Sequence, residues 1–196
     1  MSNLQFSEFL KKKRERDTLS GHIDWEIRRK IWLDKLDFLF HRQIAAWLSP
    51  YQKEGFLDTR IDQVAIQEDV MGTWGRYDAP MMAIHVISET VTLTPVGMVI
   101  LGGLGRVDMV GSLGKLMLVL NDSGQAPGFH MVRVTSIPPK EAVFHNLESA
   151  RSQQIIPMEE RMRRADWYFV PPTDRRSLLR VTEETFTEHL QNIVRS

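Results

Sequence analysis

From Asp24 to the SPYQKEG segment at 49–55, apolar side chains recur with helical spacing. On a helical wheel Trp25, Trp32, Leu36, Leu39 and Trp47 fall within about 40° of one line, and Leu33, Phe40 and Ile44 widen that stripe. A second apolar cluster, Ile27, Ile31, Phe38 and Ala45, lies almost opposite. Arg28, Lys35 and Arg42 occupy one seam between the two, and Lys30, Asp34 and Asp37 the other. A surface helix needs one apolar stripe, so two stripes predict a helix covered on both sides. The cover is expected from the sheet and other helices of the chain, or from the sheet and a second subunit. Asp24 reads as its N-cap, and Pro50 and Gly55 read as its stop. An earlier helix is expected over 7–16.

After residue 60 the period changes. Runs rich in Val, Ile, Leu and Met at 61–68, 81–87, 91–95, 97–101, 106–110, 115–120 and 129–134 read as short strands. The connections between them are too short for crossover helices, which predicts an antiparallel meander. Alternation in TVTLTP and GRVDMVG predicts one covered face and one wetter face. Beyond residue 140 the pattern breaks into an irregular or helical stretch at 141–152 and a short helix at 157–165. DWYFVPP reads as an edge strand stopped by two prolines. A last helix is capped by Thr182, carries Glu183 and Glu184 in its first turn, and has Phe186, Leu190, Ile193 and Val194 on one side. The expected architecture is α+β: a helical arm over 1–60, an antiparallel sheet over 61–140 and a mixed segment ending in a helix over 141–196. Together they make one domain over 1–196. The C-terminal helix is one candidate cover for the second stripe of the Trp-rich helix.

Composition supports a folded chain rather than a disordered one, with 42% hydrophobic and 26% charged residues among 196. Basic and acidic residues balance at 25 each, which argues against a generally basic nucleic-acid binder. The absence of cysteine excludes disulfides, thiolate nucleophiles and Cys-type zinc sites. No signal-peptide pattern precedes the KKKRER run at 11–16, and VGMVILGGL at 96–104 is too short to span a bilayer. A cytoplasmic, bacterial-style protein with no membrane association is expected.

The stretch GRVDMVGSLGKLMLVL at 105–120 invites a chemical reading. It is no phosphate loop, since Leu116 follows Gly114–Lys115 and a strand follows rather than a helix. GGLG at 102–105 likewise lacks dinucleotide-binding spacing. In outline a strand aspartate, a hairpin and an apolar strand resemble the core hairpin of PD-(D/E)xK nucleases. That resemblance implies a divalent-metal phosphodiesterase site with Asp108 as first carboxylate. Independently, Asp62, Glu68 and Asp69 flank the first expected strand, and one or more of them would join Asp108 around the ion. The second half of the motif is missing, because LMLVLND contains no carboxylate–x–lysine. A plain hairpin explains the stretch as well, with Arg106 and Asp108 on one strand face and free to pair.

Elsewhere, GTWGRYDAP at 72–80 is a compact aromatic loop, and with Arg106 its Trp74, Arg76 and Tyr77 are candidate binding residues. None of the six histidines has tight metal-ligand spacing, so no metal or cofactor is expected. KKKRER, RRK at 28–30 and RMRR at 161–164 would hold a nucleic-acid backbone only if they converged, and acidic residues accompany all three. With no complete catalytic constellation, the expectation is a non-catalytic interaction protein of accessory, adaptor or immunity type. It self-associates or meets a protein partner through Trp25, Trp32, Leu36, Phe38 and Trp47. The alternative is the metal-dependent hydrolase or nucleic-acid binder centred on Asp108.

Overall fold

The computed structural model describes residue 7 and residues 24–100, 103–123, 156–171 and 177–195. The expected strand at 129–134, the segment at 141–152 and, apart from Ser7, the helix at 7–16 lie outside them.

One long helical rod opens the described fold. It comprises helix α1 (Trp25–Asp37), a π-helical stretch (Phe38–Ile44) and helix α2 (Ala45–Lys53). Asp24 caps it as expected, its Oδ1 accepting from Ile27 N at 3.0 Å. Pro50 does not stop it. The rod runs past the proline, Glu54 N donates to Pro50 O at 3.2 Å, and Gly55 ends the turn at φ 77°.

The π turns explain how one face stays buried along this length. Leu36, Phe40, Ile44 and Leu48, all buried, follow one another in four-residue steps. In a pure α-helix each step rotates by about 40°, so the row would swing about 120° by Leu48. The wider i→i+5 turns underwind the rod and hold the row against the sheet. The second stripe is divided. Ile31 joins the core and Ala45 is half-buried, whereas Ile27 and Phe38 are exposed. Among the described residues the second stripe is therefore covered only in part, at Ile31 and Ala45 and not at Ile27 or Phe38.

The described strands form a seven-stranded antiparallel sheet in sequence order: β1 (Leu57–Gln67), β2 (Arg76–Val86), β3 (Glu89–Gly97), β4 (Gly105–Gly111), β5 (Gly114–Asn121), β6 (Asp166–Val170) and β7 (Leu179–Arg180). The meander is as expected, with three corrections. β3 is continuous through Thr94 and Pro95 to Gly97, and 98–100 is not a strand. Half of the aromatic loop is strand, since β2 begins at Arg76 and only a 3-10 turn (Asp69–Trp74) precedes it. β6 is not an edge, because β7 pairs with it through Tyr168↔Arg180 and Phe169↔Leu179.

The core lies between the rod and one sheet face. Met82, Ile84, Leu93, Val107, Met109, Leu118, Leu120 and Phe169 face Trp32, Leu36, Leu39 and Phe40. Trp32 packs at 5.7 Å on Trp167 and lies flat over Gly105, where a Cβ would come within 2.2 Å of the indole. Helix α3 (Met158–Arg164) flanks the rod, tied by Arg28 Nε to Glu159 Oε1 at 2.6 Å. Lys35 Nζ donates to Arg163 O at 2.9 Å and Ala165 O at 2.6 Å. Helix α4 (Glu183–Ile193) starts in a reciprocal cap between Thr182 and Thr185 and buries Phe186, Leu190 and Ile193. Phe186 meets Trp47 at 5.9 Å. Helix α4 therefore extends the same layer as the rod and does not roof Phe38.

Candidate functional site

The β4–β5 hairpin answers the question posed by GRVDMVGSLGKLMLVL. Ser112 and Leu113 form its turn between paired Gly111 and Gly114. Arg106 and Asp108 share the face opposite Val107 and Met109, as alternation requires. There Arg106 donates from Nε to Asp108 Oδ1 at 2.8 Å and from Nη2 to Oδ2 at 3.2 Å. Lys115 of β5 brings Nζ to 2.6 Å from the same Oδ2. Two cations thus occupy both oxygens of a carboxylate on a side chain that is only 13% exposed. A divalent ion would have to displace one of them.

The other carboxylates of the metal alternative are separately engaged. Asp62 Oδ1 accepts from Arg60 Nε at 2.9 Å, and Asp69 Oδ1 accepts from Gln67 Nε2 at 2.7 Å. Among the described residues no three His, Asp or Glu side chains are grouped to hold a metal. Asp62, Glu68, Asp69 and Asp108 are not brought together.

Glu68 has the most closed environment of the four. It is buried where β1 ends, and its Oε2 accepts from Tyr77 Oη at 2.5 Å while Oε1 accepts from Val99 N at 2.6 Å. Two glycines make room for it. A Cβ at Gly97 (φ 151°) would lie 2.6 Å from Oε1, and one at Gly75 would lie 2.1 Å from the Glu68 carbonyl oxygen. Burial, then the Glu68 carboxylate, push the Tyr77 phenol far above its usual range. The Trp32 indole N–H acts on it in the opposite sense without closing a hydrogen bond of ordinary geometry. This cluster fastens β1, β2 and the segment after β3 to one another. Sequence reasoning placed Glu68 among metal ligands and Tyr77 among exposed binders. The signal it passed over was the pair of glycines at 75 and 97, which mark close approach.

Arg76 is exposed, and with Gln67, Tyr77 and Asp78 it borders a shallow depression of about 440 Å³. Trp74 ends the 3-10 turn. Arg106 belongs to the Asp108 ion pair, on a different strand pair from Arg76. The expected binding residues therefore do not form one pocket.

Of the expected interface residues, Trp32 and Leu36 are sealed in the chain's own core and cannot meet a partner without opening it. Trp25 and Trp47 are half-buried, the first beneath the Arg28 guanidinium at 5.4 Å. Phe38, 53% exposed, and Ile27, 42% exposed, remain on the outer side of the rod. Beside Phe38, His41 Nδ1 lies 2.9 Å from Asp37 Oδ1.

One ion pair carries a pH dependence. Arg161 Nε donates to Asp122 Oδ2 at 2.6 Å, clasping α3 to the end of β5. The Arg161 hydrogen bond holds the Asp122 carboxyl below its ordinary 3.8, against a smaller opposing effect of burial. A depressed folded-state pKa contributes stability above the unfolded value and loses it as pH falls through the folded value. Arg161→Gln is therefore expected to lower the urea midpoint at pH 6. The difference from wild type should shrink once the pH falls below about 4. An equal deficit at both pH values would assign the effect to lost packing of Arg161.

Among the described residues no helix is long and apolar enough to cross a membrane. No family model matches the chain, and neither does any curated protein or solved structure.

Proposed function

We propose that this chain is a non-catalytic protein-interaction factor of accessory, adaptor or immunity type. Its contact face is the outer side of the rod around Ile27 and Phe38. The observation that carries the reading is Phe38, a large aromatic side chain 53% exposed on a helix whose opposite side is fully used by the core. An exposed aromatic within a charged rim is a feature of protein contact surfaces, and Ile27 lies on the same side about three helical turns away. Here Asp37, His41 and Arg42 supply the rim. The metal-hydrolase alternative draws less support, since both Asp108 oxygens are bound by Arg106 and Lys115.

The test is capture of partners by the tagged full chain from nuclease-treated lysate, with Ile27→Glu and Phe38→Glu in parallel. Both positions are exposed, so the variants should keep the wild-type circular dichroism spectrum and unfolding midpoint. A protein retained by the wild type and lost by both variants is the expected result. A partner retained equally by all three, or no retained protein, overturns the proposal. Bands that vanish on nuclease treatment would move the assignment to nucleic acid.

A further inference from the structure

The sheet has two very different edges. β7, at one end, is two residues long, a short edge of the kind that resists further pairing. β1, at the other, is eleven residues long, and no described strand pairs with its outer side. Long edges are usually blunted by proline, by charged side chains, lysine above all, or by a bulge, and the charges β1 carries are Asp58, Arg60 and Asp62. β1, reading LDTRIDQVAIQ, contains no proline, lysine or glycine. Its register with β2 runs from Leu57↔Val86 to Gln67↔Arg76 without a shift.

We infer that β1 is a homodimer seam, pairing antiparallel with β1 of a second copy about a two-fold axis at Ile61. The argument is the self-complementarity of its charges. In that register Ile61 faces itself, Arg60 faces Asp62 of the other copy, and Asp62 faces Arg60. Two opposite-charge cross-strand pairs form on one sheet face. Both side chains reach solvent and are free to exchange partners, at 69% exposed for Arg60 and 40% for Asp62. Within one copy they already meet at 2.8 Å, and pairing would place a second ion of opposite sign beside each.

Neighbouring registers are worse. A two-fold axis perpendicular to the sheet keeps faces matched, so the register moves only in steps that preserve alternation. Centring on Arg60 sets Arg60 against Arg60 and Asp58 against Asp62. Centring on Asp62 sets Asp62 against Asp62. Centring on Thr59 restores opposite charges through Asp58 and Arg60 but overlaps only residues 57–61 of each strand, against 57–65 for the Ile61 centre. The Ile61 register therefore combines charge matching with the longer ladder. The result is one continuous sheet across both copies, with the two rods on the same side. The seam and the Phe38 face are on different elements, so either inference can fail alone.

Sedimentation velocity of the full chain tests this. A dimer is expected at about 100 µM. Arg60→Asp places like charges opposite each other twice across the seam and should weaken the dimer by about tenfold or more in Kd. Asp62→Arg should do the same from the other side. The double exchange Arg60→Asp with Asp62→Arg restores both pairs and should restore the dimer, while Phe38→Glu should leave it intact. Circular dichroism and unfolding midpoints establish that each variant is folded. A wild type that stays monomeric at that concentration overturns the inference. So does a dimer indifferent to the two single exchanges, or one that only Phe38→Glu breaks. A double exchange that fails to recover rejects the Ile61 register.

Discussion

Trp32→Ala is expected to remove about 3–5 kcal/mol of folding stability, the usual range for truncating a fully buried aromatic side chain. Domains commonly hold about 5–15 kcal/mol in total, so this one change should draw the urea or guanidinium midpoint down by a large fraction of its value. The size follows from what the indole touches. It is sealed from solvent, lies at 5.7 Å from Trp167, and covers Gly105 so closely that a Cβ there would sit 2.2 Å from the ring. Neither the sheet nor the rod can close the gap without giving up the rest of the row, so a cavity should remain.

The same contact makes a sharper prediction. Gly105→Ala alone is expected to destabilise, because its methyl group must displace the indole. In the Trp32→Ala background the methyl group enters vacated space, and its cost should fall or reverse. Denaturant midpoints of the two singles and the double measure this coupling. Strict additivity would mean that Trp32 and Gly105 do not pack as described.

The second large effect is expected at Glu68. Glu68→Ala takes the acceptor from two donors at once, the Tyr77 hydroxyl and the Val99 amide, in hydrogen bonds that are part-buried. Leaving a fully buried donor unsatisfied costs about 1–3 kcal/mol, and with both donors only partly buried about 1–3 kcal/mol is expected for the pair. Glu68→Gln keeps an acceptor oxygen and should cost less. A spectroscopic readout separates this bonding from packing. Among the chain's three tyrosines, Tyr77 is held protonated far beyond the usual range by burial and by Glu68. In an alkaline absorbance titration it should ionise only as the wild type unfolds. In Glu68→Ala its titration should move down but stay above the ordinary value of about 10, since burial, the larger cause, remains. A Tyr77 that titrates normally in the wild type would contradict the cluster.

The aspartate of the β4–β5 hairpin shows how far residue pattern carries on its own. That Arg106 and Asp108 share a strand face follows from alternation, and the structure pairs them. That Lys115 completes the pairing could not be read, because it depends on the register Val110↔Lys115 and Asp108↔Met117 across the turn. The long helix makes the same point in reverse. Its apolar positions predicted a rod from Asp24 onward, but the wheel assumed one α-helical pitch throughout. The π turns at 38–44 changed the phase of everything after them, while helix α3, remote in sequence, buried Ile31 and left Phe38 outside. Pro50 misled for a related reason. A proline near a helix end removes one donor and does not compel a stop when the flanking turn is packed, as Leu48 is here.

What the chain's sequence determined by itself is what short-range chemistry controls. Hydrophobic period distinguishes helix from strand, side-chain oxygens at Asp24 and Thr182 start helices, and short connections force antiparallel neighbours. From these follow the α+β class and the meander. Tertiary structure alone decided which carboxylates stand together and which apolar residues stay exposed. Glu68 left the metal-ligand set because glycines far along the chain admitted it to the Tyr77 and Val99 donors. Trp32 and Leu36 were closed off from any contact surface because the sheet was there to cover them. Those outcomes depend on distances between segments remote in sequence, and local periodicity contains no information about them.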